Sequence, residues 1–203
     1  MAKIPIYAIA AMCDTTRGIG LNGELPWSLP HEFNYFLAVS TRVKDKTKIN
    51  AVIVGRLTFD SIIESNIIPN YFYIIISSTI TNEGLDLKNK LDPSAVVVVT
   101  SYSNAIDYVL NLKSDQIENI FVIGGSNIYK SSFEYERLDR LYLTHIYHEF
   151  NCDTFLEPKN FLDSFEKVEN FSDYSVEGFE IDKPIADSET GVQYRFLIYK
   201  RKF

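Results

Sequence analysis

An α/β fold on a largely parallel sheet is predicted by two patterns in the chain, and a third sets its C-terminal edge apart. Apolar runs, mostly β-branched or aromatic, recur at Ile4 to Met12, Ala51 to Val54, Tyr71 to Ile76, Ala95 to Val99, Ile120 to Ile123 and Leu141 to Leu143. Such runs are strands buried on both faces. Segments of helical spacing alternate with them at Glu32 to Arg42, Thr58 to Ile63, Asn104 to Leu112 and Asn127 to Phe133. That alternation requires crossovers between parallel strands. The tail differs: Phe165 to Tyr174 and Tyr194 to Lys200 are aromatic-rich with no helix between them, which predicts an antiparallel hairpin at one edge.

Length and charge bound the rest. With 203 residues, 46% hydrophobic and 23% charged, the chain fits one domain, 1–203, able to bury roughly 70% of its unfolded surface. Collagenous, low-complexity and disordered classes are excluded. A net charge of −7 would repel nucleic acid and anionic lipid, so neither is expected as a partner. Cys13 and Cys152 lie far apart without a Cys-x-x-Cys pair, which fits a reduced, cytoplasmic protein.

Along the chain, Ile4 to Met12 superficially resembles a secretion signal, but Pro5 and a single preceding lysine favour a buried first strand. Gly18-Ile19-Gly20-Leu21-Asn22-Gly23 has the letters of a dinucleotide fingerprint. Leu25-Pro26-Trp27 and Pro30 follow, however, where that motif must open a helix. The segment reads as a flexible Gly-rich loop, either a lid over a site or a loop pinned by its aromatic. On the next helix Glu32 shares a face with Phe36 and Val39. It is either an exposed first-turn carboxylate favouring the helix dipole, or a desolvated acid with a raised pKa.

Val54-Gly55-Arg56-Leu57-Thr58 puts a cation and a hydroxyl at the next helix N-terminus, and Ile123-Gly124-Gly125-Ser126 brings bare backbone N–H groups to another. Two anion sites at strand ends suggest a dinucleotide. Asn104 to Leu112 is expected to be capped by Ser103, with surface insertions at Glu83 to Ser94 and Gly178 to Glu189. His145 and His148, three apart on or just past a strand, point to opposite faces, so no metal is assigned. With no heptad and no long exposed apolar edge, a monomer is expected.

Taken together, Gly20 to Trp27 with Glu32-Phe33, then Val54-Gly55-Arg56 with Thr58, Ile123-Gly124-Gly125 with Tyr129, Leu141 to His145 and Asp153-Thr154-Phe155 resemble the dihydrofolate reductase family in order and spacing, from Ile6 to about Tyr199. The length is that of the single-domain form. The resemblance implies a mixed, mostly parallel eight-stranded sheet flanked by helices, with NADPH and dihydrofolate meeting in a cleft. Hydride would pass from nicotinamide C4 to pterin C6 while N5 gains a proton, and antifolate-type inhibitors would bind the same cleft.

It also implies roles. Glu32 would grip the pterin and promote N5 protonation, Thr144 would hydrogen-bond that carboxylate, Trp27 would hold an ordered water, Tyr129 would pack near the nicotinamide, and Leu25 would ride on a mobile lid. Ile9, Ala10, Phe33, Phe36, Ser61, Ile62, Ile68, Tyr71 and Ile123 would line the substrate pocket. Ala11, Ile19, Gly23, Gly55, Arg56, Leu57, Thr58, Ser77, Ser78, Thr79, Gly124, Gly125, Ser126, Asn127 and Ile128 would line the cofactor, with Gly124-Gly125 a cis peptide.

Two departures stand out. Tyr71 occupies the position of the arginine that forks onto the folate α-carboxylate, a loss of about 10- to 100-fold in affinity if unreplaced. Thr100 replaces a second basic residue at the cofactor 2′-phosphate, so NADPH is expected with less selectivity over NADH. The rival readings are the riboflavin-pathway reductase of the same fold and a catalytically silent pterin or nucleotide binder.

Overall fold

The computed structural model describes residues 4–65, 69–87, 90–171, 174 and 176–202. Its elements run β1 (Ile6–Cys13), β2 (Gly18–Gly20), α1 (Pro30–Ser40), β3 (Ile49–Gly55), α2 (Arg56–Ser65), β4 (Tyr71–Ile76), β5 (Val96–Val99), α3 (Tyr102–Tyr108), β6 (Ile117–Gly124), α4 (Ser126–Glu134), β7 (Leu138–Ile146), β8 (Thr154–Phe155), β9 (Phe165–Lys167), β10 (Ile185–Ala186) and β11 (Gln193–Arg201). Eight strands lie side by side in the order β10-β11-β7-β1-β6-β3-β4-β5. From β7 to β5 all pairings are parallel, and β11 closes on β7 antiparallel. This is the mixed, helix-flanked sheet the sequence predicts.

Each apolar run forms its strand because alternate residues feed two cores. Val52 and Val54 join the layer holding Tyr35, Val39, Phe59 and Ile63 of α1 and α2. Ala51 and Ile53 join the layer holding Ala105, Ile106, Ile128 and Phe133 of α3 and α4. Burying both faces is what makes such strands continuously apolar.

Three local expectations are corrected. Helix α1 opens two residues early, because Pro30 sits at its first turn, where a missing N–H costs nothing. Helix α3 is capped by Ser101, whose hydroxyl accepts from the Asn104 N–H at 3.1 Å, and not by Ser103. In the tail, β9 pairs antiparallel with β11 but is only three residues long. The outer edge of β11 is divided among several segments: β9 takes Tyr199 to Arg201, Val168 and Asp182 donate to Ile198 and Phe196, and β10 takes Gln193 and Tyr194. No helix among the described residues is long and apolar enough to cross a membrane.

Candidate active site

Strand register gathers the site along one rim. Gly55 pairs with Ile76, Ile76 with Val99, Val54 with Gly124 and Ala11 with Thr144, so the carboxyl ends of the parallel strands line up. In open α/β sheets that rim is where ligands bind.

Helix α1 lays Glu32 across one end of the rim. The side chain is 6% exposed, and the Thr144 hydroxyl donates to its Oε1 at 2.9 Å. Burial pushes the carboxyl up to about 7, against the opposing pull of the Thr144 bond. The exposed first-turn reading is therefore set aside. Beside it the Tyr129 hydroxyl donates to the Ile9 carbonyl at 2.6 Å, and burial, with the neighbouring Glu32 charge, raises the phenol further. Ile9 keeps one carbonyl lone pair free of that bond. Trp27 is buried with its ring 5.6 Å from that of Phe150, and its indole N–H has no protein acceptor.

Next on the helix, Phe33 and Phe36 are half-buried and stack on each other at 5.8 Å. Ser61 and Ile62 on α2 are half-buried too, whereas Ile68 lies outside the described residues. Tyr71 does not reach out as an arginine would. It is buried, and its hydroxyl shares a 2.5 Å hydrogen bond with Ser40, which also donates to the Phe36 carbonyl.

The other end of the rim is a pair of helix N-termini. Gly124-Gly125 is a cis peptide, as expected, and Gly124 has φ +116°. A Cβ on Gly124 would sit 3.2 Å from the Tyr129 ring, one on Gly125 would sit 3.1 Å from Thr58 Oγ1, and one on Gly55 would sit 3.5 Å from the Gly125 N. Side chains there would fill the space between the first turns of α2 and α4. Arg56 stands half-exposed at this rim and is already ion-paired with Asp60 at 2.7 Å. Ser77 is buried, its hydroxyl accepting from the N–H groups of Thr79 and Ile80, which leaves Ser78 and Thr79 exposed. Ala10 and Ile123 are buried, Ala11 is half-buried, and Leu57 and Asn127 face solvent; Ile128 packs against the Gly55 position, and the Ser126 hydroxyl donates to the Phe155 carbonyl.

The Gly-rich loop is only partly free. Gly18 and Gly20 pair with Phe155 and Thr154, so half of it is a strand. Its tip is a tight turn at Asn22 and Gly23, both with positive φ, closed by a two-way bridge between Leu21 and Glu24. An Asn-Gly pair supplies that turn at little cost. The Asp153 carboxylate accepts from the Asn22 N–H at 2.8 Å, Ile19 is half-buried, and Leu25 is 56% exposed. Residue-by-residue reading passed over Phe150, Ser40 and Asp60, and Asp153 entered only as part of the resemblance. Only the Arg56-to-Asp60 spacing of four carried a signal.

A desolvated acid at one end of a strand-end rim and two glycine-lined helix N-termini at the other define an α/β enzyme that brings a small molecule and an anionic ligand together. The dihydrofolate reductase family model matches residues 5–201. Similar proteins named dihydrofolate reductase come from Heliothis virescens, 32% identical over 99% of this chain and 100% of the relative, from Aedes albopictus, 32% identical over 95% of each, and from Saccharomyces cerevisiae, 33% identical over 98% of each. The chain belongs to the dihydrofolate reductase family and is an enzyme of that type.

Proposed function

We propose that the chain, as one domain over 1–203, reduces 7,8-dihydrofolate to 5,6,7,8-tetrahydrofolate with NADPH, as a cytoplasmic monomer. The observation that carries this reading is Glu32: a carboxyl buried in an apolar wall, held by one hydroxyl, and poised at about 7. A general acid works best when its pKa lies near the operating pH. Thr144 fixes Oε1, leaving the second oxygen of Glu32 for the pterin amino group and ring nitrogen. From there the proton moves toward N5, with the unmatched Trp27 indole N–H holding a relaying water. The second lone pair of the Ile9 carbonyl and the carbonyl of Ile123 receive the pterin amino group. Phe33 and Phe36 supply apolar walls, and Leu25 closes the lid that keeps water from the reacting atoms.

NADPH, when bound, supplies the hydride. The residues fit it: Gly55 and Gly125 leave a Cβ-free cradle beside the Thr58 hydroxyl at two helix N-termini, where pyrophosphate is favoured. Arg56 with Ser78 and Thr79 would hold the 2′-phosphate. Arg56 meets it already paired with Asp60, and Ser78, Thr79 and Thr100 add no charge, which supports weak discrimination against NADH.

The test is steady-state NADPH oxidation with dihydrofolate and, in parallel, dihydropteroate, which lacks the glutamate. Turnover with both at similar efficiency is expected, because Tyr71 spends its hydroxyl on Ser40. Strong preference for dihydrofolate would mean that another cation holds the tail. No turnover with either would overturn the reading in favour of a silent binder or the riboflavin-type reductase.

A further inference from the structure

The end of α1 that carries Glu32 has no side-chain cap: Leu29, just ahead of the helix, makes none, so the first turn must be held by packing. Aromatic rings hold it. Tyr35, one turn on from Glu32, stacks on Phe196 with centroids 3.9 Å apart, and Phe196 lies directly across from Thr144, the partner of Glu32, where β11 pairs with β7. The Tyr35 hydroxyl is buried without a protein partner, so ring packing and not a hydrogen bond places this side chain.

Phe179 completes the cluster from beyond the edge of the sheet. Its ring stacks on His31 at 4.9 Å, tilts against Tyr35 at 5.3 Å and meets Phe196 edge-on at 6.0 Å. One side chain thus grips α1 on both sides of Glu32 along the helix. The segment that delivers it, expected as a surface insertion, is tied down in its middle. Ile181 is buried and bridges to Phe196, Asp182 donates its N–H to the Phe196 carbonyl at 2.8 Å, and the Asp182 carboxylate pairs with Lys167 at 2.7 Å. Asp187 closes the return turn, its carboxylate accepting from the N–H groups of Glu189 and Thr190 and from the Thr190 hydroxyl.

We propose that the 176–187 segment is the rear wall of the acid site, with Phe179 a positioning residue that pins the first turn of α1 to the sheet and keeps water from Glu32. Phe179 acts through His31 and Tyr35. A carboxyl in an apolar wall keeps its proton to higher pH, and water admitted behind it favours the charged form. The titratable groups packed around this end of α1 are the phenols of Tyr35, of Tyr129 on α4, of Tyr142 on β7 and of Tyr194 on β11, with the His31 imidazole against Phe179. Burial pushes all four phenols up, so they stay uncharged below about pH 9.

That this carboxyl is the catalytic acid rests on the function proposed above, so the test reads the carboxyl and the activity separately. Full-length protein carrying ¹³C-labelled glutamate is titrated as parent, Phe179→Ala, Phe179→Leu and Tyr108→Ala, with Glu32→Gln assigning the resonance. Tyr108 stacks on Phe72 at 5.9 Å on the opposite face of the sheet, so its loss reports general destabilisation alone. The Glu32 midpoint is expected to fall by about one pH unit in Phe179→Ala and to stay within about 0.3 of the parent in Phe179→Leu and Tyr108→Ala. Should the alanine variant not fold, Phe179→Val is expected to show about half that fall. Turnover of Phe179→Ala should then drop about tenfold near pH 8 and change little near pH 5.5. An unmoved midpoint in Phe179→Ala, or an equal fall in Tyr108→Ala, would overturn the wall. So would a parent midpoint near 4.5, which leaves no desolvation for a wall to maintain. A midpoint that moves as expected in a protein that oxidises no NADPH would uphold the wall and defeat the functional reading instead.

Discussion

The two ends of the cleft are built on opposite physical principles. At the acid end, Glu32, Thr144, Tyr129 and Ile9 are buried, with Thr144 bonded to Glu32 and Tyr129 to Ile9, so the environment sets the chemistry through desolvation. At the phosphate end, Arg56 is half-exposed and shares its charge with Asp60, while the cradle itself is bare glycine backbone. Burial there is light, so binding must rest on screened charges and helix N-termini. Substitutions at the acid end should therefore change rate and pH profile, and those at the phosphate end should change cofactor affinity and salt dependence.

The largest effect is expected from Glu32→Gln, which should lower the rate of hydride transfer about 10²- to 10⁴-fold and abolish its fall as pH rises through about 7. Single-turnover kinetics across pH would show this. The same change should raise stability. A carboxyl near 4.5 when unfolded and near 7 when folded keeps its proton in the native state between those values, so native stability falls as pH rises across that window, by roughly 3 kcal/mol in all. Thermal melts should show Glu32→Gln gaining on the parent above pH 7 and matching it below pH 4.5.

At the opposite end, Arg56→Ala should raise KM for NADPH about tenfold, removing most of the modest preference for it, and leave KM for NADH unchanged. The comparison would break if both cofactors suffered alike. Thr144→Val removes the bond that favours the carboxylate, so the midpoint of the pH–rate profile should move up. Turnover should fall about tenfold as the acid loses its anchor. Asp60→Asn is the mildest: freeing Arg56 from an exposed i,i+4 pair should raise NADPH preference about twofold, an effect that raised salt erases.

Much of this was legible in the chain because the relevant signals are local. Buried parallel strands announce themselves as continuous apolar runs, and Gly124-Gly125 between a strand and a helix marks a candidate cradle, although the same letters also suit a plain turn. Glu32 was visible as a carboxylate on an apolar face, but the letters fit an exposed residue equally well. Its pairing with Thr144 came from the family resemblance and not from spacing, and the hydrogen bond from β7 to α1 bears it out. Contacts between distant segments left no trace in spacing. The Tyr71 hydroxyl turns inward to Ser40 and Phe150 covers Trp27, each brought about by where strands end. Ser103 and Ser101 both suit a helix cap by type, and the backbone turn at Ser101 decides between them.

The claim that matters most is that burial makes Glu32 a proton carrier near neutral pH, and it can be read without substrate. Titration of the protein carrying ¹³C-labelled glutamate, with Glu32→Gln to assign the resonance, reports the ionisation of this carboxyl directly. A midpoint close to 7, absent from the variant, is expected. A midpoint near 4.5, with the pH dependence of turnover unaltered, would contradict the account.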